Sequence, residues 1–380
     1  MVAGQIYSPY RHYSREFLPR IPLLDLLKSY GGDVGVFAGF ETIMSYGDPF
    51  SEHLAVRRDA AVFDISHMGR ILVEGPDSQE LLDLLLPRDL SDSKDSVMVG
   101  PTAFLNDSGG FKDDVMLYRF SNERWLVVCN AINREKILGW LREWVSRKGY
   151  KASIVDQTLE TAMLAIQGPR AIDYISKIPG FSGASSLKPL EFLENLDTSL
   201  GRVDIISRSG WTGEDGFEIV SSPSIAAEII ARLRSMGVAL AGLIARDSLR
   251  MEMGYVLYGE DIDENINPYE ARYWVFTRGK EGCIGCDALR EIGRRGVTKA
   301  RYMFRLKKGL RVIPRRGYKV LYEGEEIGYI TSGSYSPYLE RPIAMGYIKS
   351  SHALPGLSVD IEVRGKLYEA KILDYPLIKR

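Results

Sequence analysis

Three polar segments of the chain set charged groups beside glycines or inside apolar runs, and chemistry is expected at these places. The first is Asn106-Asp107-Ser108-Gly109-Gly110-Phe111-Lys112-Asp113-Asp114. A turn followed by the apolar stretch Val115 to Tyr118 holds two adjacent carboxylates where a strand begins. Neighbours on a strand point to opposite faces, so only one of the pair can look into a given pocket. A solvated hairpin turn accounts for the same pattern.

The second segment is Ser209-Gly210-Trp211-Thr212-Gly213-Glu214-Asp215-Gly216-Phe217-Glu218-Ile219. Its glycines let backbone approach a flat ligand, Trp211 offers a stacking face, and Glu218 lies in an otherwise apolar strand. A carboxylate there can accept two parallel hydrogen bonds from an amino-pyrimidine edge, which charge assistance makes strong. A β-hairpin with an outward glutamate fits equally well. The third runs from Ala241 to Glu252. Arg246 and Arg250 are four apart and share a face if the segment is helical. Arg246 emerges directly from an apolar stretch, so it needs an anionic or carbonyl partner, either a ligand or an internal ion pair with Asp247 or Glu252.

Other chemistry is sparse. His12, His53, His67 and His352 are too scattered to suggest a metal cluster, and no H-E-x-x-H, Walker loop or G-x-S-x-G occurs. No metal is expected.

The elements that must position these groups alternate between helix-like and strand-like patterns, which gives a mixed α and β class. Ser222-Pro223 reads as a cap and first helical residue, followed by Ile225, Ile229 and Leu233 on one face and Gly237 as a stop. Asn133 is expected to cap a second helix containing Ile137, Trp140, Leu141 and Trp144. Arg70 to Val73, Trp125 to Cys129 and Val203 to Ser207 read as strands. From about Arg301, short strands and Gly turns follow to the end, as in a small barrel.

The 380 residues are 45% hydrophobic and 26% charged, with a formal net charge of −1. That length suits roughly two or three domains. With no basic surplus, neither nucleic acid nor an anionic membrane is expected as a partner, and a local basic patch would suit a small anion. Three cysteines fit a reducing, cytoplasmic setting rather than a disulfide scaffold. Met1 to Arg20 lacks a signal-peptide core, and no apolar run reaches the ~20 residues needed to span a bilayer.

Taken together and in order, the segments resemble the aminomethyltransferase family, the T-protein of the glycine cleavage system. The resemblance is carried by Val36 to Glu41, Glu52 to Arg57, Phe63-Asp64-Ile65-Ser66-His67-Met68-Gly69, Asn106 to Asp114 and Ala165 to Pro169. It continues through Gly210 to Glu218, Ala245 to Arg250, Leu257 to Asp263, Thr331-Ser332-Gly333 and Ala344 to Tyr347. It implies an α+β, three-domain cloverleaf arrangement with two α/β folate-binding units and a C-terminal small β-barrel. The implied units are 1–55 with 157–275 (folate-binding), 56–156 (inserted) and 276–380 (barrel). It also implies transfer of an aminomethyl carbon from a lipoylated carrier (H) protein to tetrahydrofolate, a co-substrate, with release of ammonia. Asp113 matches the family's catalytic aspartate, Glu218 and Arg246 the pterin-gripping pair, and Met68, Asn130 and Trp211 fall at or beside folate-lining positions.

The chain departs from the family pattern at Trp211 (often Tyr), Phe40 (often Trp), Trp274 (one position early) and the C-x-x-C of Cys283 and Cys286. The last pair is expected to be structural. A folate-dependent demethylase of a small methylated substrate, and a non-catalytic folate-binding factor for iron–sulfur maturation, are the alternative functions.

Overall fold

The computed structural model describes residues 18–379; His12 and most of the N-terminal segment read above lie outside them. Two larger sheets and a barrel make up the frame. The first sheet has six strands in the order Phe192–Thr198, Gly201–Ser207, Gly216–Ser221, Ala162–Gln167, Ala61–Asp64, Ala239–Leu240. The last pair is parallel and the others are antiparallel. The second is a five-stranded antiparallel sheet ordered Val97–Leu105, Phe111–Ser121, Arg124–Cys129, Gly69–Glu74, Ser153–Asp156.

Strand alternation explains how these sheets meet. Val62, Leu164 and Ile166 turn to a core shared with helix Pro223–Ser235. Their neighbours Ala61, Phe63, Met163 and Ala165 turn the other way, onto Tyr118, Leu126 and Val128 of the second sheet. Trp125, Val127 and Cys129, on the opposite face of that sheet, pack under helix Arg134–Lys148 through Ile137, Leu138 and Leu141. Both faces of each sheet are therefore buried, and the strands read as continuous apolar runs such as Ala162 to Ile166.

The C-terminal strands Lys299–Leu306, Lys319–Tyr322, Glu325–Ser336, Arg341–Lys349, Ser358–Val363 and Lys366–Leu373 close into a barrel. The fold is thus mixed α and β with a small C-terminal barrel, as the sequence pattern predicts. Among the described residues, no helix is long and apolar enough to cross a membrane.

Helix Pro223–Ser235 begins as read: the Ser222 side chain accepts from the Ile225 amide at 3.4 Å, Pro223 is the first residue, and Ile229 and Leu233 are buried. Helix Arg134–Lys148 does not. Asn133 stands at its N-cap position but makes no side-chain cap. Its amide instead donates to Asp113 Oδ1 at 2.6 Å, since a buried carboxylate is the stronger acceptor. Cys283 and Cys286, the pair expected to be structural, form a disulfide, their Cα atoms brought to 5.2 Å by the turn into helix Cys286–Arg295. Cys129 is free and buried.

Helix Leu243–Met253 is the pivot of the molecule. It starts at Gly242, where a Cβ would lie 2.3 Å from the Met44 carbonyl oxygen, so only glycine allows that approach. Arg250 is bound by Asp247 (Nε–Oδ1 2.8 Å) and by Asp261 (Nη1–Oδ2 2.6 Å), and Ser332 of the barrel strand Glu325–Ser336 accepts from its Nη2 at 3.1 Å. The internal ion pair anticipated for this helix is thus made by Arg250, which leaves Arg246 to face elsewhere.

Candidate functional site

A cavity of about 350 Å³ lies where the two sheets, helix Leu243–Met253 and the segment around Tyr255 to Tyr258 meet. Five of the six residues singled out in the sequence line it: Met68, Asn130, Trp211, Glu218 and Arg246. Asp113 does not line it. It is fully buried behind the wall, where Oδ2 accepts from the Asn130 backbone amide (3.0 Å) and Oδ1 from the side chains of Asn130 (2.8 Å) and Asn133 (2.6 Å). Asp114, its neighbour, is the carboxylate on the cavity wall. The reason is strand alternation along Phe111–Ser121.

The two carboxyls are coupled through Asn130, whose Nδ2 lies 2.8 Å from Asp113 Oδ1 and 2.8 Å from Asp114 Oδ1. Burial raises the pKa of both. Asp113 is raised further, by burial first and then by the adjacent Asp114 charge; hydrogen bonds from Asn133 and Asn130 oppose the rise there, and those from Asn130 and Tyr273 oppose it at Asp114. The first proton taken up by the pair therefore goes to Asp113, and Asp114 keeps its charge toward the cavity.

On the other side, Glu218 is held at one oxygen among the described residues. Ser209 Oγ donates to Glu218 Oε2 at 2.8 Å, within a hydroxyl chain through Ser207 (2.7 Å from Ser209) to Tyr118 (3.0 Å from Ser207). Arg246 is 8% exposed, and its Nη1 has no hydrogen-bond partner among the described residues. Its guanidinium carbon lies 5.3 Å from the Trp211 ring centre, and Trp211 stacks on Tyr255 (6.3 Å, 17° between planes). A guanidinium against an aromatic face, with its Nη1 unpartnered among the described residues, is poised for a ligand oxygen. The site thus brings together an anchored carboxylate, a cation whose Nη1 is unpartnered among the described residues, a flat aromatic wall and, across the cavity, Asp114.

Sequence reasoning missed Asp114, His67, Tyr258 and Tyr273 in this wall. His67 lies within a motif that was used only for its resemblance. It packs edge-on to Phe37 (5.4 Å), and its Nδ1 is unpartnered. Burial, then the Arg246 and Arg70 charges, push its pKa down to about 3. Between about pH 3 and pH 6.5 the unfolded chain therefore binds one proton at His67 that the folded chain refuses, and stability falls as pH falls, by up to about 1.4 kcal/mol per pH unit. His67→Gln is expected to flatten this part of the stability curve, checked by urea unfolding at several pH values. An unchanged slope would mean that His67 is not the proton acceptor.

A second constellation has the residue types of a hydrolytic triad. His53 Nδ1 lies 2.7 Å from Ser248 Oγ and Nε2 3.0 Å from Glu252 Oε1. Ser248 also donates to the Ala245 carbonyl at 2.9 Å. His53 and Glu252 are fully buried, Ser248 is 6% exposed, and none of the three lines the cavity, so the trio is a structural clamp.

With this geometry in view, comparison with known proteins defines the class. The family model described as the GCVT N-terminal domain matches residues 23–280, and that of the glycine cleavage T-protein C-terminal barrel domain matches residues 299–379. The chain belongs to the aminomethyltransferase family, the glycine cleavage T-proteins. It is 40% identical over 363 residues to a probable aminomethyltransferase of Aeropyrum pernix, covering 94% of this chain and 96% of that one. It is 37% identical to the aminomethyltransferase of Halothermothrix orenii, covering 95% and 100%. Among solved structures, the glycine cleavage system aminomethyltransferase T from Bartonella henselae superposes with a TM-score of 0.86 at 32% identity, over 95% of this chain and 98% of that chain.

Proposed function

We propose that the protein transfers the aminomethyl carbon carried by the lipoyl arm of a carrier protein to tetrahydrofolate, with release of ammonia. The observation that carries this reading is the pairing, across one cavity, of Glu218 and the unpartnered Arg246 on one side with Asp114 on the other. Tetrahydrofolate would supply N5 as the one-carbon acceptor. The residues fit it: Glu218 Oε1 is open to the amino-pyrimidine edge, Arg246 can meet a pterin carbonyl or a carboxylate, and Trp211 offers a face for a ring.

The chain's own contribution is then to orient and to stabilise charge. Glu218, fixed at Oε2 by Ser209, sets the plane of the bound ring. Asp114, ionised while Asp113 holds the proton of the pair, places a negative charge where the transferred carbon becomes cationic. Asn130 keeps both carboxyls in place by donating to each. The apolar remainder of the wall, including Met68, Met98, Val128 and Met163, keeps water away from that centre.

The test supplies tetrahydrofolate and an aminomethyl-loaded lipoyl carrier and follows ammonia and 5,10-methylene-tetrahydrofolate. Stoichiometric release of both supports the reading; tight folate binding without product would reject the donor. Glu218→Ala and Arg246→Met are each expected to weaken tetrahydrofolate binding by about 10- to 100-fold, the range for losing a charge-assisted hydrogen bond. Calorimetric titration checks this, and unchanged affinity in either variant would remove that residue from the ring-binding pair.

A further inference from the structure

A second concavity, with a volume of about 760 Å³ and no residue in common with the central cavity, opens at one end of the barrel. The loop 309–318 and the tight turn joining strands Ser358–Val363 and Lys366–Leu373 form its walls. Four cations line it, Arg311, Arg315, Arg364 and Lys366, and no carboxylate does. Its base carries the half-buried rings of Tyr318 and Tyr368, which pack onto the barrel core.

Two features separate this groove from an ordinary solvated basic surface. Four exposed cations elsewhere on the same barrel are paired, Lys307 with Glu369, Lys308 with Glu340, Lys319 with Glu326 and Lys349 with Glu325. The four groove cations have no ion pair among the described residues, so no direct contact with a carboxylate there offsets their mutual repulsion. The second feature is the placement of Arg364. Val363 pairs with Lys366, which leaves Arg364 and Gly365 as a two-residue turn, and both have positive φ (52° and 75°). Such a turn favours Asn, Asp or Gly at its first position, and a long cation stands there instead.

We infer that this groove binds a small organic polyanion, one in which two or more phosphates or carboxylates are joined to a flat apolar group. The guanidinium and ammonium groups that line the groove select the negative charges. The tyrosine faces select the flat group, which bare phosphate lacks. The site is too limited for a long polyanion, since the chain as a whole carries a net charge of −1.

The experiment titrates the full chain with three probes: ATP, inorganic tripolyphosphate and 4-aminobenzoyl-tri-γ-glutamate. It repeats the titrations on the double variant Arg311→Gln/Arg364→Asn. Asparagine suits the left-handed turn position, so the variant should fold, and its Tm is measured alongside. The expected result is saturable binding of ATP or of the aminobenzoyl triglutamate, at least about tenfold tighter than tripolyphosphate and at least about tenfold weaker in the variant. Preference for ATP assigns a phosphate-bearing ligand, and preference for the triglutamate a carboxylate-bearing one. Failure of all three probes to saturate by about 1 mM would overturn the proposal. Affinity unchanged in the variant, or equal affinity for tripolyphosphate, would overturn it too. Because the groove shares no residue with the central cavity, tetrahydrofolate binding and turnover should be unaltered in the variant.

Discussion

Asp114→Asn is expected to lower turnover by about two to three orders of magnitude while tetrahydrofolate still binds. Asparagine keeps the size of the side chain and an oxygen for the Asn130 amide, so the wall should hold its shape. What it removes is the negative charge facing the cavity. A cationic carbon in a water-poor cavity depends on that charge far more than it would in bulk water. The neighbouring change Asp113→Asn should behave differently. Asp113 touches no part of the cavity and is satisfied by Asn130 and Asn133. Its loss should reduce turnover by no more than about tenfold. It should leave the acidic limb of the kcat/KM profile in place, because Asp113 already holds the proton of the pair where Asp114 titrates. Comparing the two pH profiles decides the assignment: a collapse in the Asp113 variant with near-normal activity in the Asp114 variant would reverse it.

Glu252→Ala should produce the largest loss of stability, about 3–5 kcal/mol, the usual consequence of stripping one partner from a buried ion pair. Glu252 is fully buried and receives Arg57 Nε at 2.8 Å and Nη2 at 2.7 Å. His53 Nε2 lies 3.0 Å from its Oε1, and the Ser336 hydroxyl donates to the same oxygen. Burial alone would raise the Glu252 pKa; the His53 hydrogen bond and charge, with Arg57, hold it below the ordinary range. These contacts tie helix Pro49–Arg58, helix Leu243–Met253 and barrel strand Glu325–Ser336 at one point. Without the carboxylate, Arg57 keeps only Glu214 (2.9 Å) and backbone carbonyls, and the Ser336 hydroxyl loses its acceptor. Urea denaturation of the variant checks the figure, and a loss below about 1 kcal/mol would show that relaxation or water replaces the carboxylate. Because helix Leu243–Met253 also carries Arg246, weaker tetrahydrofolate binding should accompany the lost stability.

Much of this was legible in the sequence because it is local. The Ser222-Pro223 helix start depends on one hydroxyl and one fixed φ. The strands around Trp125 and Val203 declare themselves by branched and aromatic runs. The barrel shows in closely spaced short strands, and the cavity-lining position of Glu218 and Arg246 in charge set against apolar surroundings. Adjacency hid the rest. The strand pattern alone did not separate Asp113 from Asp114 and the resemblance favoured Asp113, whereas the register of Phe111–Ser121 against its neighbours puts Asp114 on the cavity wall. Asn133 looked like a cap because capping is local, but a buried carboxylate 20 positions earlier in the chain competed for its amide and won. Arg250 and Arg246 share a face of one helix, yet Asp261 and Ser332 reach only Arg250, so tertiary packing alone leaves Arg246 free for a ligand. Propensity and patterning act over a few residues and write themselves into the sequence, whereas which buried polar group finds which partner is settled by contacts between distant segments.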